Sequence, residues 1–498
     1  MSILVGLGGA ARNACVTLSA GDRILGVCEQ ERITRVRAAG FNPTGLPDEA
    51  LDVLLRRAGH TRAHVSAYAL AEATLAPAGI APLRRLDHHF THACSAFLPS
   101  PFDSATIVVC DHEAPQISVW EGDGSTITRV EWPWQGVGFA ELYSRCAEAL
   151  DFATGGHEQR MEALARLALG LHADWTIPLF GLEDDRLRIA PDWQARVEAS
   201  AAGGERHERA SAASALQSRI ADLLIDFLTR VKRRLPGARR LCVGGSLFYN
   251  SHLNSAAKCC GVFDDVFVPI NPGNAGLSVG AALHATRQTR RPVTPFLGPA
   301  YTSEEIKGTL DNCKLTYQWA SEADTIEIAV KALQKGRLVA WFDGAMEWGP
   351  RALGARSILA NPFAPFVLDN LNRFLKEREV WRGYALSSLG TVVGEHFDGP
   401  EVSPFMECDY VPRERDRFRH ILPAPNATVR IQSVGDDASP RFRALLQAFG
   451  EATGLPMLVN TSFNGFSEPI VCGPRDAVRV FFGTGIDLLV FGQFVLSK

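Results

Sequence analysis

The sequence lacks the features of a membrane-spanning or a disulfide-stabilised protein. None of its 498 residues belongs to an uninterrupted apolar run of the roughly 20 residues that a spanning helix needs. Its eleven cysteines are scattered without a CxxC spacing, which favours buried, reduced thiols over disulfides or a zinc site. The apolar start at 1–7 lacks a basic region and enters a glycine-rich turn, so we interpret it as a strand rather than a signal peptide. We therefore expect a cytoplasmic protein with no membrane partner.

An excess of charge of one sign is also missing. The chain has 51 Lys and Arg against 55 Asp and Glu, a formal net charge of −4, so nucleic acid is not an expected partner. What is present is the composition of a folded protein, with 46% hydrophobic and 21% charged residues. Since domains commonly hold about 100–200 residues, the length predicts two or three of them.

Short strands alternate with helices along the chain, which predicts an α/β fold in which helices cover the sheets. The first three strands, at 3–7, 14–18 and 24–28, are separated by glycine turns. Such an opening is typical of an actin-like (ribonuclease H-like) ATPase half. Helices are predicted at 48–58 and 211–235 from their apolar spacing. No internal repeat is visible in the sequence.

A change in composition divides the chain. Residues 287–302 are rich in arginine and proline, and the part that follows has strands of its own, such as 338–342. We predict an N-terminal actin-like domain at 1–290, a linker at 291–320 and an α+β domain at 321–498.

Two histidines and an acid form the first candidate site. His88 and His92 stand four residues apart, so a helix would place both imidazoles on one face, where they can bind a divalent metal. Asp111 follows the strand predicted at 106–110, and α/β sheets bind ligands at the carboxyl ends of their strands. A structural histidine pair and a turn-capping aspartate also explain these residues, so both interpretations stay open.

Two glycine-containing loops, each between a strand and a helix, form the second candidate. They contribute Gly244, Gly245, Asn250, Asn254, Gly273 and Gly276. Glycines let a nucleotide approach the backbone closely, and amide side chains can bind its ribose or base. The alternatives are a plain strand–helix turn for the first loop and close helix packing for the second.

Cations beside glycine turns and apolar strands form the third candidate, in the second half of the chain. It comprises Arg351, Lys376, Arg382, Arg430 and Ser462, with Arg356, Asn460 and Asn464 in the same segments. Guanidinium groups bind phosphate oxygens in bidentate fashion, and hydroxyl and backbone N–H groups complete such a cradle. The residues alone indicate an anion-binding site, with a solvated surface as the alternative.

The strings HHFTHACSAF, GGSLFYNSHLN, PGNAGLSVGAA and GPRALGARSI occur in this order along the chain. Together they resemble the O-carbamoyltransferase family of the nodulation and tobramycin type, and the resemblance covers nearly the whole chain. It implies an actin-like domain similar to that of the tRNA threonylcarbamoyl-transfer enzymes. It also implies a YrdC-like domain that binds carbamoyl phosphate and ATP.

The resemblance implies a metal site in the first half. The metal, usually iron, would be held by His88, His92, Asp111 and the residue at position 274. That residue is Asn274 where the family has an aspartate, and a neutral amide should bind a divalent metal more weakly than a carboxylate. The glycine loops would hold the nucleotide, and Mg²⁺ would accompany ATP.

The ligands of carbamoyl phosphate implied for the second half are Arg351, Lys376, Arg382, Arg430 and Ser462. The implied reaction is ATP-dependent transfer of the carbamoyl group, through carbamoyl adenylate, to a hydroxyl or amine of a small-molecule, natural-product acceptor. Because of Asn274, a metal-independent ATP-dependent ligase on the same scaffold stays open, as does a non-catalytic relative. The sequence leaves open which acceptor is used and whether the protein forms a homodimer.

Overall fold

The computed structural model describes residues 2–71, 83–152, 157–168, 174–286 and 293–498. Its strands are β1 (Ile3–Gly8), β2 (Cys15–Ala20), β3 (Arg23–Glu29), β4 (Val65–Ala71), β5 (Leu83–Leu86), β6 (Ser104–Cys110), β7 (Ile117–Asp123), β8 (Thr126–Val130), β9 (Phe180–Glu183), β10 (Arg186–Ile189), β11 (Arg240–Gly244), β12 (Asp265–Phe267), β13 (Gln318–Trp319), β14 (Val339–Phe342), β15 (Arg356–Ala360), β16 (Ala385–Leu389), β17 (Phe397–Asp398), β18 (Cys408–Pro412), β19 (Val429–Val434), β20 (Met457–Ser462), β21 (Leu488–Phe491) and β22 (Phe494–Ser497). Its α-helices are α1 (Gln30–Thr34), α2 (Asp48–Arg57), α3 (His88–Phe97), α4 (Phe139–Ala149), α5 (His157–Ala165), α6 (Trp193–Ser200), α7 (Arg206–Arg234), α8 (Ser251–Cys259), α9 (Leu277–Ala285), α10 (Ser303–Asn312), α11 (Glu322–Gln334), α12 (Val367–Asp369), α13 (Gly390–His396), α14 (Pro440–Thr453) and α15 (Pro474–Gly483).

Two five-stranded sheets in the first half of the chain share one topology. The first has the order β3-β2-β1-β4-β5 and the second the order β8-β7-β6-β11-β12. In both sheets the first three strands are antiparallel neighbours, and the two later strands run parallel to the first. This duplicated arrangement confirms the predicted actin-like (ribonuclease H-like) fold, although the sequence itself shows no repeat.

Helices α3 and α9 pack against each other, α9 on the first sheet and α3 on the second. The packing is too close for side chains at two glycines. A Cβ at Gly280 of α9 would lie 2.5 Å from the carbonyl oxygen of Thr91, and one at Gly6 of β1 would lie 2.1 Å from that of Ser278. This close contact brings the start of α3 and the loop before α9 to the same place between the sheets.

A ten-stranded sheet dominates the second half, in the order β13-β22-β21-β14-β15-β20-β16-β19-β18-β17. Alternate residues of β14 enter two different cores, because successive side chains of a strand point to opposite faces. Val339 and Trp341 pack in one core with α11 and α14, whereas Ala340 and Phe342 belong to the core on the other face. The mixed sheet with helices outside it is the α+β domain predicted for this half.

The predicted linker at 291–320 contains regular structure. Its residues 291 and 292 lie outside the described residues, as do 287–290. Further on, the Thr302 side chain caps α10 and forms a capping box with Glu305. Strand β13 then pairs with β22, so the C-terminal sheet includes residues before 321. The division into domains at 290 and 321 remains a prediction.

Other predictions from the sequence can be compared directly with the structure. The first three strands occur as predicted, within two residues at each end. The helix predicted at 211–235 is α7, which begins five residues earlier, at Arg206. All eleven cysteines are unpaired, and eight of them are buried. Within the described ranges, no helix has both the length and the apolar character that crossing a membrane requires.

Candidate functional site

The candidate metal site lies where α3 begins and β6 ends. Asp87 caps α3 by accepting a hydrogen bond from Phe90 N, and the helix then presents His88 and His92 on one face. The Nε2 atom of His88 lies 2.8 Å from Oδ2 of Asp111, and that of His92 lies 3.5 Å from the same oxygen. One ligand atom from each of the three lies within 4.8 Å of the others. The structure therefore brings the three predicted residues together.

The polar groups of this triad fit a divalent cation. Both ring nitrogens of His92 are buried without a hydrogen-bond partner, although buried polar atoms normally have one. The other carboxylate oxygen of Asp111 accepts a hydrogen bond from Ser246 N at 2.9 Å. Burial opposes ionisation of Asp111, but the hydrogen bond with His88 and the nearby His92 imidazole outweigh it and hold the pKa of Asp111 well below its usual value. An ionised carboxylate beside two imidazoles is a suitable ligand set for a divalent metal.

Gly245 fixes the loop beside Asp111. Its φ of 96° is left-handed, and a Cβ there would lie 2.1 Å from the carbonyl oxygen of Cys110. Its N–H donates to the carbonyl of Pro272 at 2.8 Å, which brings the loop before α9 to the triad. Asn274 lies two residues further along that loop and is half-buried. The fourth predicted ligand thus belongs to a loop that adjoins the other three.

Two residues predicted to bind a nucleotide make hydrogen bonds within the protein. The Asn250 side chain caps α8 by accepting from Leu253 N at 3.1 Å. The Asn254 side chain donates to the carbonyl of Phe248 at 2.9 Å and to that of Glu407, in the second half of the chain, at 2.8 Å. Asn254 therefore joins the two halves, and nucleotide binding by these amides remains a prediction.

The predicted glycines all lie against neighbouring groups. A Cβ would lie 2.4 Å from the Tyr249 hydroxyl at Gly273, 2.0 Å from the carbonyl oxygen of Asn271 at Gly276, and 3.1 Å from that of His92 at Gly244. The Tyr249 hydroxyl also donates to the side-chain oxygen of Asn271 at 2.6 Å. Together these contacts make the two glycine loops one packed unit beside the metal candidate.

The candidate phosphate site lies at one end of the central strands of the ten-stranded sheet, where β16 and β19 begin and β20 ends. We call this end of the strands the sheet edge. Strand β16 runs parallel to β19 and antiparallel to β20, so the first residues of β16 and β19 lie beside the last residues of β20. Arg382 precedes β16, Arg430 is the second residue of β19, and Ser462 is the last of β20. Arg351 precedes β15, whose Ser357 pairs with Ser462. The topology brings side chains from four separate segments to one edge.

Lys376 lies beside the end of β20. Its Nζ atom donates to the carbonyls of Ser462 at 2.7 Å and Asn464 at 3.0 Å, and also to the side-chain oxygen of Asn464. Among the described residues, no carboxylate forms an ion pair with this ammonium group. Burial, with a smaller effect of neighbouring Arg378, holds the pKa of Lys376 well below its usual value. An anionic ligand would supply the missing counter-charge.

Arg351 and Arg382 are also short of negative charge. In the part of the chain that the structure describes, Arg351 has no hydrogen bond or ion pair, and burial, then Arg430, lowers its pKa to about 9. The nearest carboxylate oxygen to Arg382 belongs to Glu379, at 3.9 Å. Burial, then Arg378, lowers the pKa of Arg382 to about 10. Both guanidinium groups are therefore available for bidentate binding of a phosphate.

The turn that carries Arg351 is held by the first half of the chain. Gly349 N donates to Oε1 of Glu29 at 2.8 Å, and the Gly349 carbonyl accepts from Arg32 at 2.7 Å. Glu29 and Arg32 are buried and form an ion pair of 3.0 Å with each other. This pair fixes the turn from both sides and so sets the position of Arg351 at the sheet edge.

Comparison with known proteins decides the family. The family models "Carbamoyltransferase N-terminus" and "Carbamoyltransferase C-terminus" match residues 64–283 and 330–498. Nodulation protein NolO of Bradyrhizobium diazoefficiens is 30% identical over 83% of this chain and 79% of its own length. The chain belongs to the carbamoyltransferase family. The resemblance seen in the sequence is thereby confirmed, and the protein is an enzyme.

Further relatives of this carbamoyltransferase are similarly distant. A protein of Synechocystis is 32% identical over 84% of this chain and 76% of its own length. The 3'-hydroxymethylcephem-O-carbamoyltransferase of Amycolatopsis lactamdurans is 28% identical over 82% of this chain and 79% of its own length. Among solved structures, full-length HypF in its phosphate- and nucleotide-bound form is 12% identical, with a TM-score of 0.42, over 57% of this chain and 46% of that one.

Two predicted residues of the carbamoyltransferase are enclosed in the fold of the second half. Arg356 is fully buried, donates to the carbonyl of Asp343 at 3.0 Å and lies 3.5 Å over the Phe342 ring. Asn460 is also buried and donates to the Ser387 hydroxyl at 2.9 Å. The Asn464 side chain, in contrast, accepts a hydrogen bond from Lys376.

Residues of the first half that sequence reasoning missed also reach the phosphate candidate. Arg166 donates to Oδ2 of Asp409 at 2.9 Å and to the Ser251 hydroxyl at 2.7 Å. Oε1 of Glu162 accepts a hydrogen bond from Arg430 at 3.1 Å. The available sequence signal is the i, i+4 spacing of Glu162 and Arg166, which is common on solvated helix faces. Both halves of the carbamoyltransferase therefore line this site.

Proposed function

We propose that the protein transfers a carbamoyl group from carbamoyl phosphate, at the expense of ATP, to a hydroxyl or amine of a small-molecule acceptor. The observation that carries the proposal is the group of buried and half-buried cations at the sheet edge. Lys376 and Arg351 have no carboxylate partner among the described residues, and Arg382 has only a distant one. A dianionic acyl phosphate would supply the charge that this edge lacks.

The first step uses the phosphate candidate. Arg351, Lys376 and Arg382 hold the phosphate of carbamoyl phosphate, and water cleaves it to phosphate and carbamate. A carbamate oxygen then attacks the α-phosphorus of ATP, which gives carbamoyl adenylate and releases pyrophosphate. Fixed cations stabilise the negative charge that develops on the phosphoryl oxygens, and such stabilisation is commonly the largest contribution to phosphoryl-transfer catalysis.

The second step uses the first half of the chain. The acceptor oxygen or nitrogen attacks the carbamoyl carbon, AMP leaves, and the carbamoylated product forms. The adenylate binds close to the backbone of the two glycine loops, beside the triad. A divalent metal bound by His88, His92 and Asp111 would supply Lewis-acid polarisation of the carbamoyl oxygen. The Asp111 carboxylate, ionised and fixed by Ser246 N, keeps this group of side chains in place.

The chemistry of the acceptor is suggested by the relatives. One is named a 3'-hydroxymethylcephem-O-carbamoyltransferase and another a nodulation protein. By analogy with the first relative, we propose that the acceptor group in this chain is a hydroxyl of a natural product. This lies within the acceptor class predicted from the sequence.

A second candidate function rests on Asn274. A neutral amide in place of a carboxylate weakens a metal site, and this favours a metal-independent ATP-dependent ligase or acyltransferase on the same scaffold. Metal analysis of the purified protein separates the two. A stoichiometric metal that is lost together with carbamoyl transfer on chelation supports the first function, and full transfer activity without metal supports the second.

The donor reaction is tested with purified protein, ATP and carbamoyl phosphate. We expect pyrophosphate and carbamoyl adenylate to be formed only when both substrates are present, because the adenylate needs both. Acetyl phosphate in place of carbamoyl phosphate serves as the control for donor identity. Pyrophosphate release that ignores carbamoyl phosphate would refute the proposed donor.

A further inference from the structure

Glu162 connects the two halves of the chain through a single carboxylate oxygen. Its Oε1 atom accepts hydrogen bonds from Ser251 N at 2.9 Å, from the Ser251 hydroxyl at 2.6 Å and from Arg166. The fourth donor is Nη2 of Arg430 at 3.1 Å, which comes from the second half. Glu162 is 3% exposed, and the Arg166 and Arg430 side chains are each 14% exposed, so little of this network contacts solvent.

Of the four cations predicted from the sequence for this site, Arg430 is the one that hydrogen-bonds to a carboxylate within the described residues. Arg351 has no ion-pair partner among the described residues, and Asp409 pairs with Arg166 at 2.9 Å rather than with Arg430. Arg430 also donates from Nε to the Ser251 hydroxyl at 3.2 Å, so its bond to Glu162 can open while it stays attached to the network. If Glu162 released Arg430, three hydrogen bonds from Arg166 and Ser251 would still hold its Oε1 atom.

A phosphate dianion that reaches Arg430 meets this carboxylate. Two anions that share one guanidinium repel each other, and the repulsion is strong where water is excluded. Burial would favour the neutral acid, but Arg166 and then Arg430 hold the pKa of Glu162 far below its usual value. Glu162 therefore stays charged and cannot avoid the conflict by binding a proton.

We propose that Glu162 is a specificity-determining residue that competes with the donor's phosphate for Arg430. Donor binding replaces the Glu162 carboxylate on Arg430 by a phosphate oxygen, while Glu162 stays bonded to Arg166 and Ser251. The competition selects for ligands with two negative charges, because a weaker anion does not displace the carboxylate. This inference rests on the proposed function, in which the sheet edge binds the phosphate of carbamoyl phosphate.

The sign of the change in phosphate affinity in Glu162→Gln shows whether Glu162 competes with phosphate or positions Arg430 for it. If Glu162 only positions Arg430, then Glu162→Gln weakens phosphate binding. If Glu162 competes, the same change tightens binding, because an amide oxygen still accepts from Ser251 but no longer repels an anion. Glu158→Gln is the matched control, since Glu158 is the same residue type four residues earlier on α5 and accepts a hydrogen bond from the Ser144 hydroxyl at 2.8 Å.

The experiment is calorimetric titration of the full-length protein and both variants with inorganic phosphate and, in parallel, chloride. We expect Glu162→Gln to bind phosphate about tenfold more tightly than the unchanged protein and to lose discrimination against chloride. Glu158→Gln should bind as the unchanged protein does. Equal or weaker phosphate binding by Glu162→Gln overturns the inference but leaves the proposed function standing. Absence of phosphate binding in all three proteins overturns the proposed function and the inference together.

A structure of the unchanged protein with bound phosphate gives a second test that needs no variant. We expect phosphate on Arg430, the distance between Glu162 Oε1 and Arg430 Nη2 opened beyond hydrogen-bond range, and Glu162 still bonded to Ser251. Phosphate bound at this edge with the pair of Glu162 and Arg430 intact would overturn the inference.

Discussion

The triad of the first half and the sheet edge of the second half are opposite kinds of site. The triad of His88, His92 and Asp111 gathers a carboxylate and lone pairs, so it suits a cation. The sheet edge gathers guanidinium and ammonium groups that lack carboxylate partners among the described residues, such as Arg351 and Lys376. The three residues of the first lie within 24 residues of sequence, whereas the second needs segments from both halves. One chain thus carries a locally built candidate cation site and a candidate anion site built by long-range topology.

Among the residues of the sheet edge, we expect Arg351 to contribute most to the reaction with carbamoyl phosphate. We expect Arg351→Ala to lower pyrophosphate formation from ATP and carbamoyl phosphate by about 100-fold or more, because it removes a fixed cation from the reacting phosphate. Arg351→Lys should retain part of the activity, since the charge stays but the bidentate fork is lost. The control is Arg413→Ala, at the end of a strand of the same sheet, where the partner Asp398 is 62% exposed. Equal losses in Arg351→Ala and Arg413→Ala would mean that the sheet edge is not the donor site.

The local site could be predicted from sequence because short-range rules build it. A capping aspartate starts α3, so the i, i+4 spacing of His88 and His92 becomes a shared helix face. Asp111 follows a buried strand, and that position already marks the edge of a sheet where ligands bind. The first three strands were predictable for the same reason.

The long-range site could be predicted only in part. Resemblance to a family supplied Arg351, Lys376 and Arg430, but no local pattern indicates that Arg166 crosses from the other half to Asp409. Likewise, the repeated topology of the first half is invisible in sequence, because strand order depends on contacts between distant segments. Asn254 shows the same limit, since its partner Glu407 lies 153 residues away.

At the triad, we expect His92 to be needed for carbamoyl transfer to the acceptor. We expect His92→Ala to lower carbamoyl transfer to the acceptor by about 100-fold while pyrophosphate formation from ATP and carbamoyl phosphate continues. The control is His89→Ala, which removes a neighbouring buried imidazole that bonds to the Ser118 hydroxyl instead. Rapid-quench assays of both steps make the comparison. A His92→Ala variant that stops pyrophosphate formation would show that the two sites do not divide the reaction.

The network between the halves predicts a large effect on stability. Arg166→Ala leaves the Asp409 carboxylate, 5% exposed, without its partner, and breaking one side of a buried ion pair costs about 3 kcal/mol of unfolding free energy. Arg239→Ala is the control, because its pair with Asp264 is largely exposed and is worth about 0.5 kcal/mol. Urea denaturation of both variants measures the difference. Similar values for the two would remove the network as a structural link between the halves.

The metal candidate predicts opposite effects of two changes at one position. Asn274→Asp adds a carboxylate beside the triad and should tighten binding of a divalent metal by about tenfold, whereas Asn274→Ala should weaken it. Competition with a chelator measures both affinities. The same low affinity in all three proteins would show that position 274 is not a ligand and would leave a three-residue site.

The smallest effect that we expect is at the sheet edge, where binding of a dianion should be accompanied by uptake of up to one proton by Lys376. Burial lowers the pKa of Lys376 in the free protein, and a bound dianion favours the charged form, so its pKa rises on binding. Lys376 then takes up a proton wherever the solution pH lies above the lowered value and below the raised one, and affinity falls as pH rises through that window. Titration with sulfate, which keeps its charge there, in buffers of different ionisation enthalpy measures this uptake. Lys376→Arg keeps a permanent cation and should abolish the proton uptake. If the uptake persists in that variant, the proton binds elsewhere and Lys376 is already charged in the free protein.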